Sequence, residues 1–133
     1  MSAALASWTF TSQARSARRA RQAARAQLAE WGLQACDYAE LLISELVTNA
    51  VRHARGLVRM SLSAADGLLR CEVEDSSPVP PSPRAASCDD EGSRGLLLVE
   101  VLSCGWGSVP TGRGKLVWFE VPVRMPVRMP AHA

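Results

Sequence analysis

The sequence lacks the features that define several protein classes. Its four cysteines form no C-x-x-C pair and there are only two histidines, so neither a zinc site nor a redox motif is indicated. No apolar run approaches the ~20 residues of a membrane span, and we expect no membrane association. The formal net charge of +2 and the absence of aromatics interleaved with a basic patch argue against direct nucleic-acid binding.

The beginning of the chain and the cysteines bear on location. No secretory signal precedes the cysteines, which predicts reduced thiols in a cytoplasm. Residues 1–29 contain no acidic residue and are rich in Ala, Arg and Ser, a composition that also resembles an organellar transit segment. A positively charged helix is the simpler interpretation, and we expect a cytoplasmic protein.

The composition that is present fits one globular domain. A chain of 133 residues can bury a core without metal or disulfide support. A hydrophobic fraction of 47% with 21% charged residues is ordinary for such a domain.

The most informative segment is a helix predicted to begin after Asp37, a candidate N-cap that forms a capping box with Glu40. At about 100° per residue, Glu45, Asn49 and His53 form one stripe along the edge of a broad apolar face. Such a stripe lines the seam between the helix and its packing partner. The alternative is an ordinary amphipathic helix whose polar residues are solvated or pair with each other, and spacing alone does not exclude it.

Propensity and turn signals predict the other elements. The first half of the chain is predicted to form an edge strand at 8–11, an Arg-rich helix at 12–31 that ends at Gly32, and the central helix, which ends near 53–56. A hairpin follows, with strands at 57–64 and 68–74 and its turn at 65–67. The last part is predicted to be a Pro-rich loop at 76–92, a helix at 94–102, and final strands at Val109 and 116–123. The arginines of the first helix are either a solvated face or a contact for an acidic partner. The long loop suggests a lid or disorder.

This order predicts the fold class. Strands come in neighbouring pairs and helices are segregated, so we expect an α+β two-layer sandwich with a mostly antiparallel mixed sheet and helices on one face. The domain covers residues 1–123. Residues 124–133, which include a tandem Val-Arg-Met-Pro copy, are predicted to be a tail without catalytic meaning.

Three segments together resemble a known superfamily: the Glu/Asn/His helix, an acid at the end of a buried strand, and a Gly-x-x-Gly turn that opens a helix after the long loop. The chain resembles the GHKL, or histidine kinase-like, ATPases, which share the Bergerat-type ATP-binding fold. Within them it is similar to the small bacterial anti-sigma factor serine/threonine kinases of the actinobacterial type. The resemblance covers roughly residues 5–123, and the run at 44–50 is highly specific for that group.

The resemblance implies roles for the helix residues. Glu45 would be the general base, and Asn49 would supply one hard oxygen to Mg²⁺ and so help to bind ATP. His53 would neighbour the phosphates, or would simply be a histidine at a helix C-terminus.

Asp75 matches the aspartate that accepts a hydrogen bond from the amino group of adenine, although a turn residue at a strand end is the alternative. The first glycine box is altered, because Asp75 is followed by Ser-Ser-Pro-Val, and Pro78 fixes φ and removes a donor. Leu116 stands at the candidate position for a threonine that relatives often place near adenine.

The second glycine box is matched by residues 92–96. The resemblance implies that Gly92 and Gly95 shape a phosphate pocket at a helix N-terminus, with Arg94 and Leu96 beside it. Arg94 could pair with a phosphate, but a salt bridge to the acidic residues at 89–91 is the plainer option.

The leading hypothesis from this resemblance is a regulatory kinase. It would bind Mg-ATP, sequester a sigma factor as a homodimer, and phosphorylate Ser or Thr of an anti-anti-sigma (STAS-type) partner. The alternative is a catalytically inactive partner-switching scaffold with weak or no ATP binding. The catalytic half of a split sensor histidine kinase is a third hypothesis, against which stands the lack of a preceding dimerisation helix with a phosphoacceptor histidine.

Overall fold

The computed structural model describes residues 4–54, 56–77 and 91–124, with the backbone alone described for 91–96. The elements are β1 (Ala4–Thr11), α1 (Arg15–Trp31), β2 (Gln34–Ala35), α2 (Ala39–His53), β3 (Leu57–Ala65), β4 (Leu68–Asp75), α3 (Glu91–Leu102), β5 (Gly105–Pro110) and β6 (Lys115–Arg124). The predicted order is confirmed, and the short strand β2 is an addition to it. In the described part of the chain no helix is both long and apolar enough to cross a membrane.

The strands form a six-stranded sheet in the order β1-β3-β4-β6-β2, and β5 also pairs with β6. All the described pairings are antiparallel. The α+β prediction, with helices on one face of the sheet, is confirmed. Strand β6 extends to Arg124, which pairs with Gln34, so the sheet includes the first residue of the predicted tail. The remainder of that tail, residues 125–133, lies outside the described residues.

The β3–β4 hairpin is formed where the sequence predicts it. Ala65 pairs with Leu68, which leaves Asp66 and Gly67 as a two-residue turn. Both turn residues have positive φ, 55° and 79°, as a type I′ turn requires. Asp and Gly tolerate this conformation, and its twist matches that of the flanking strands.

The core lies between the sheet and the helical layer. On each central strand every second side chain points into this core. The largest fully buried side chains of the core are Phe119, Leu42, Ile43, Leu46, Met60, Leu62, Leu69, Val47, Val58, Val73, Val99 and Val121. Each such side chain contributes about 1.5–3 kcal/mol through removal of apolar surface from water. The described cysteines, Cys36, Cys71 and Cys104, are free thiols, and burial raises the pKa of the Cys71 thiol.

The helix ends are set by different interactions. Helix α1 ends at Gly32 in the left-handed conformation, as predicted. The predicted capping box of α2 is wrong, because Tyr38 occupies the N-cap position and no side chain caps the helix. Glu40 instead forms an ion pair with Arg25 of α1, at 2.6 Å. The Glu40 carboxylate that the capping box required is thus paired with Arg25 on the neighbouring helix.

The connection after α2 brings several elements to one end of the sheet. Only residues 54–56 separate α2 from β3, so the C-terminus of the helix lies near the start of that strand. Arg59 of β3 pairs with Glu74, which places the start of β3 beside the end of β4 at Asp75. Asp75 in turn pairs with Lys115, the first residue of β6. The C-terminus of α2, the end of β4 and the start of β6 therefore lie at the same end of the sheet.

Candidate functional site

Helix α2 carries the first part of the candidate site and packs on β3, β4 and β6. Asn49 lies on the buried face and is 4% exposed, whereas Glu45, one turn earlier, is half-buried. His53 is the last residue of the helix and is exposed. The predicted stripe thus passes from a half-buried carboxylate through a buried carboxamide to a solvated imidazole.

Asp75 carries the second part, at the end of β4 on the side that faces the helices. Its side chain is 1% exposed. The backbone N–H of Ser77 donates to Asp75 Oδ1 at 2.7 Å, a local turn that holds the carboxylate in place. Oδ2 is buried and accepts no hydrogen bond from the described residues. A buried acceptor without a donor is costly, so this oxygen is a candidate ligand contact.

Lys115 is a site residue that the sequence argument missed. Its Nζ donates to Asp75 Oδ1 at 3.3 Å and lies 3.3 Å from Oδ2. Lys115 is the only lysine of the sequence, and its side chain is 4% exposed. A signal was available, because the alternation of Val117, Phe119 and Val121 extends back to Lys115 on the buried face.

The same alternation corrects the interpretation of Leu116. That residue pairs with Glu74 and projects to the opposite face of the sheet from Asp75. The side chain that faces Asp75 from β6 is Lys115. The position expected to resemble a threonine beside adenine is therefore occupied by a cation.

Gly114 fixes how closely the β5–β6 turn approaches Asp75. A Cβ at Gly114 would overlap the carbonyl oxygen of Asp75 and lie 2.6 Å from the carbonyl carbon of Ser76. The turn is closed by the N–H of Gly114, which donates to Thr111 Oγ1 at 3.0 Å. Only glycine permits this backbone contact, which brings Lys115 to the end of β4.

The second glycine box is arranged differently from the expectation. Helix α3 begins at Glu91, three residues before the predicted start, so Gly92 and Gly95 lie within its first two turns. The first four N–H groups of a helix have no intrahelical partner, which leaves the N–H of Gly92 and Arg94 at the helix N-terminus and places that of Gly95 inside the helix. The side chains of Arg94 and Leu96 lie outside the described residues, as does the loop segment 78–90.

Two cavities among the described residues lie close to the sheet, and the residues that line these two do not include Glu45 or Asn49. One, of about 370 Å³, lies between the α1–α2 connection and the end of β6. The other, of about 390 Å³, lies at the ends of β3 and β4 and is lined by Thr9, Leu57, Arg59, Glu74, Asp75, Ser76 and Arg113. Only the second touches the candidate site, through Asp75 and Ser76.

The described residues contain no group of three or more His, Cys, Asp or Glu side chains placed to hold a metal ion.

The fold and the site together define an α+β domain with a carboxylate and a carboxamide on one helix and a buried aspartate at the end of a central strand. Residues 10–119 match the family of histidine kinase-like ATPase domains. The chain therefore belongs to the histidine kinase-like ATPase family, as its resemblance to the GHKL superfamily predicted.

The solved structures to which this chain is similar include a histidine kinase domain. A histidine kinase domain from a blue-light activated histidine kinase of Erythrobacter litoralis is 32% identical, with a TM-score of 0.49. The similarity covers 62% of this chain and 42% of that chain, so this chain spans less than half of its length. No curated protein matches.

Proposed function

We propose that this domain binds Mg-ATP and phosphorylates a Ser or Thr hydroxyl of an anti-anti-sigma (STAS-type) partner while it sequesters a sigma factor. The observation that carries the nucleotide-binding part is the Asp75 carboxylate, which is buried at the end of β4 and keeps one oxygen without a hydrogen bond among the described residues. Family membership supports the same ligand.

Asp75 Oδ2, which is ion-paired with Lys115 but accepts no hydrogen bond from the described residues, fits an adenine base. The exocyclic amino group of adenine is a donor, and Oδ2 is a buried acceptor that lacks one. Satisfying such an acceptor is worth about 1–3 kcal/mol, the cost of leaving it unpaired. Ser77 holds the other oxygen in place, so the carboxylate is oriented before a ligand arrives.

The residues of α2 fit the metal and the transferred group. Asn49 offers a hard carboxamide oxygen of the kind that Mg²⁺ accepts while it keeps most of its ligands from water and phosphate. Glu45 lies one helical turn away and would accept the proton of an attacking hydroxyl. ATP, when bound, supplies the phosphoryl group, and this transfer needs mainly positioning and charge neutralisation from the protein.

The partner surface is proposed from charge. Five arginines of α1 are exposed and project from one side of the helical layer; they are Arg15, Arg18, Arg19, Arg21 and Arg25. Arg25 is engaged with Glu40. The remaining positive surface suits an acidic face on a sigma factor, and we propose that a homodimer binds it.

A catalytically inactive partner-switching scaffold is the second candidate. The observation that favours it is the ion pair between Lys115 and Asp75, which already neutralises the carboxylate that would read adenine. In this case the fold and the binding surface would be retained, with weak or no ATP binding.

Calorimetric titration of the purified chain with ATP, with and without Mg²⁺, tests the proposal. We expect Mg-dependent binding that Asn49→Ala loses, because the substitution removes the proposed metal ligand. Gln22→Ala is the matched control, since it removes an exposed carboxamide from α1 and should leave binding unchanged. If the parent protein shows no binding at millimolar ATP, the kinase proposal fails and the scaffold becomes the better explanation.

A further inference from the structure

The carboxylate of Asp75 and the ammonium group of Lys115 form a buried acceptor and donor pair. Their side chains are 1% and 4% exposed, and Nζ lies 3.3 Å from each carboxylate oxygen. This separation is longer than the about 2.7–2.9 Å of a tight charge-assisted hydrogen bond. The geometry leaves hydrogen-bonding capacity on both groups.

That capacity can be assigned to atoms. Oδ1 accepts from the Ser77 N–H and from Lys115 Nζ, whereas Oδ2 accepts no hydrogen bond from the described residues. An ammonium group has three donors, and the described hydrogen bond to Oδ1 uses one of them. Both groups face the helical layer from adjacent strands. A planar base that reaches Oδ2 would therefore meet a charged donor beside it.

Purine bases present two kinds of edge to such a pair. Adenine carries an amino donor beside the N1 acceptor, and a 6-oxopurine carries the O6 acceptor beside an N1–H donor. A carboxylate alone accepts a hydrogen bond from the adenine amino group. Against a 6-oxopurine the carboxylate oxygen would face O6, and no hydrogen bond could form because both atoms are acceptors. A site built for one pattern rejects the other strongly, because its polar groups remain unpaired.

We propose that Lys115 broadens base selection, so that the site binds 6-oxopurine nucleoside triphosphates as well as ATP. This inference rests on the proposed nucleotide-binding function of the same site. With adenine, the amino group donates to Asp75 Oδ2 and N1 accepts from Lys115 Nζ. With a 6-oxopurine that is turned over about its glycosidic bond relative to adenine, N1–H donates to Oδ2 and O6 accepts from Nζ. Lys115 is a specificity-determining residue in both cases.

Inosine triphosphate is the appropriate probe, because it differs from ATP only in the 6-oxo group and the N1 proton. We expect calorimetry on the parent protein to give a dissociation constant for Mg-ITP within about tenfold of that for Mg-ATP. Lys115→Met should weaken ITP by a further ~10- to 100-fold relative to ATP, the effect of leaving a buried acceptor unpaired. Lys115→Arg keeps a cationic donor and should retain ITP binding.

Arg124→Met is the matched control, since it removes a positive charge from the exposed far end of the same strand and should leave the ratio of the two affinities unchanged. Binding of ATP by the parent with ITP more than tenfold weaker overturns the inference and leaves the proposed function standing. Binding of neither nucleotide refutes the proposed function and this inference with it. If Lys115→Met does not fold, the parent ratio and Lys115→Arg decide the question.

Discussion

Asp75 and Lys115 are directly opposed residues of β4 and β6, separated by forty positions in the sequence, and they form a buried ion pair with Nζ 3.3 Å from both carboxylate oxygens. This relationship joins the end of one central strand to the start of the other. It also determines the polarity of the place where we propose that a base binds.

Removing only one member of the Asp75–Lys115 ion pair should destabilise the protein. Lys115→Met leaves a buried carboxylate without its cation, and we expect the free energy of unfolding to fall by about 3–5 kcal/mol. The double variant Asp75→Asn with Lys115→Met should recover most of that loss, because neither partner is then charged. Urea unfolding of both variants measures the difference. A single variant within 1 kcal/mol of the parent would show that the pair is not held as described.

Gly114 should tolerate no side chain. Gly114→Ala directs a methyl group at the backbone of Asp75 and Ser76, so we expect a loss of about 3 kcal/mol, the upper range for overpacking. Gly112→Ala lies in the same turn with nothing within 4 Å of its Cβ and should change stability by no more than about 0.5 kcal/mol. Thermal unfolding of the two variants provides the test, and equal effects would contradict the close approach.

The Arg25–Glu40 ion pair should make a small contribution to stability that depends on pH. The hydrogen bond from Arg25 lowers the pKa of Glu40, so the stabilisation is present above the unfolded pKa and is lost as pH falls through the folded value. Because the Glu40 side chain is 37% exposed, solvent screening limits the effect to under about 1 kcal/mol. Glu40→Gln should therefore be less stable than the parent at neutral pH and no less stable at pH 3.

Denaturant unfolding of Glu40→Gln and the parent at both pH values checks this prediction. Glu30→Gln, which removes an exposed carboxylate from the end of α1, is the control and should change stability little at either pH. A Glu40→Gln deficit that persists unchanged at pH 3 would mean that packing, not charge, is responsible.

Substitutions of Glu45 and of Asn49 should have separate effects, the first on turnover and the second on nucleotide binding. Glu45→Gln keeps the shape of the side chain but removes the proposed base, so we expect Mg-ATP affinity within about threefold of the parent and a ~10²- to 10⁴-fold loss of turnover. Asn49→Ala should instead lose the Mg²⁺ dependence of binding. Calorimetry measures the affinity, and transfer of labelled phosphate from ATP to a STAS-type partner measures turnover. If Glu45→Gln turns over ATP at the parent rate, the carboxylate is not the base.

The sequence predicted elements whose signals are local. The Asp66-Gly67 turn and the end of α1 at Gly32 depend on a few adjacent residues with particular backbone requirements, and both are confirmed. The order of the elements predicted the α+β fold class, and the match over residues 10–119 confirms the resemblance to the superfamily that three segments carried. The roles of Glu45 and Asn49 remain predictions for the experiments above.

Features set by contacts between distant residues were missed. Strand β2 has two residues and exists because it pairs with the end of β6, which no periodicity reveals. The partner of Asp75 depends on the register of β4 against β6, and an error of one residue exchanged Lys115 for Leu116. The predicted capping box is wrong because Tyr38, not Asp37, is the N-cap, and Glu40 pairs with Arg25 of another helix.

Strand β6 also governs when this domain can fold. It pairs with β4, β5 and β2, so residues 115–124 complete contacts that reach back to Gln34. Long-range pairings of this kind slow folding, because the chain loses the entropy of loop closure before it forms the contacts that offset this loss. During synthesis from the N-terminus, the paired strands β1, β3 and β4 and the helices would wait with the edge of β4 unpaired. A growing chain that stalls before Lys115 would expose this edge to aggregation.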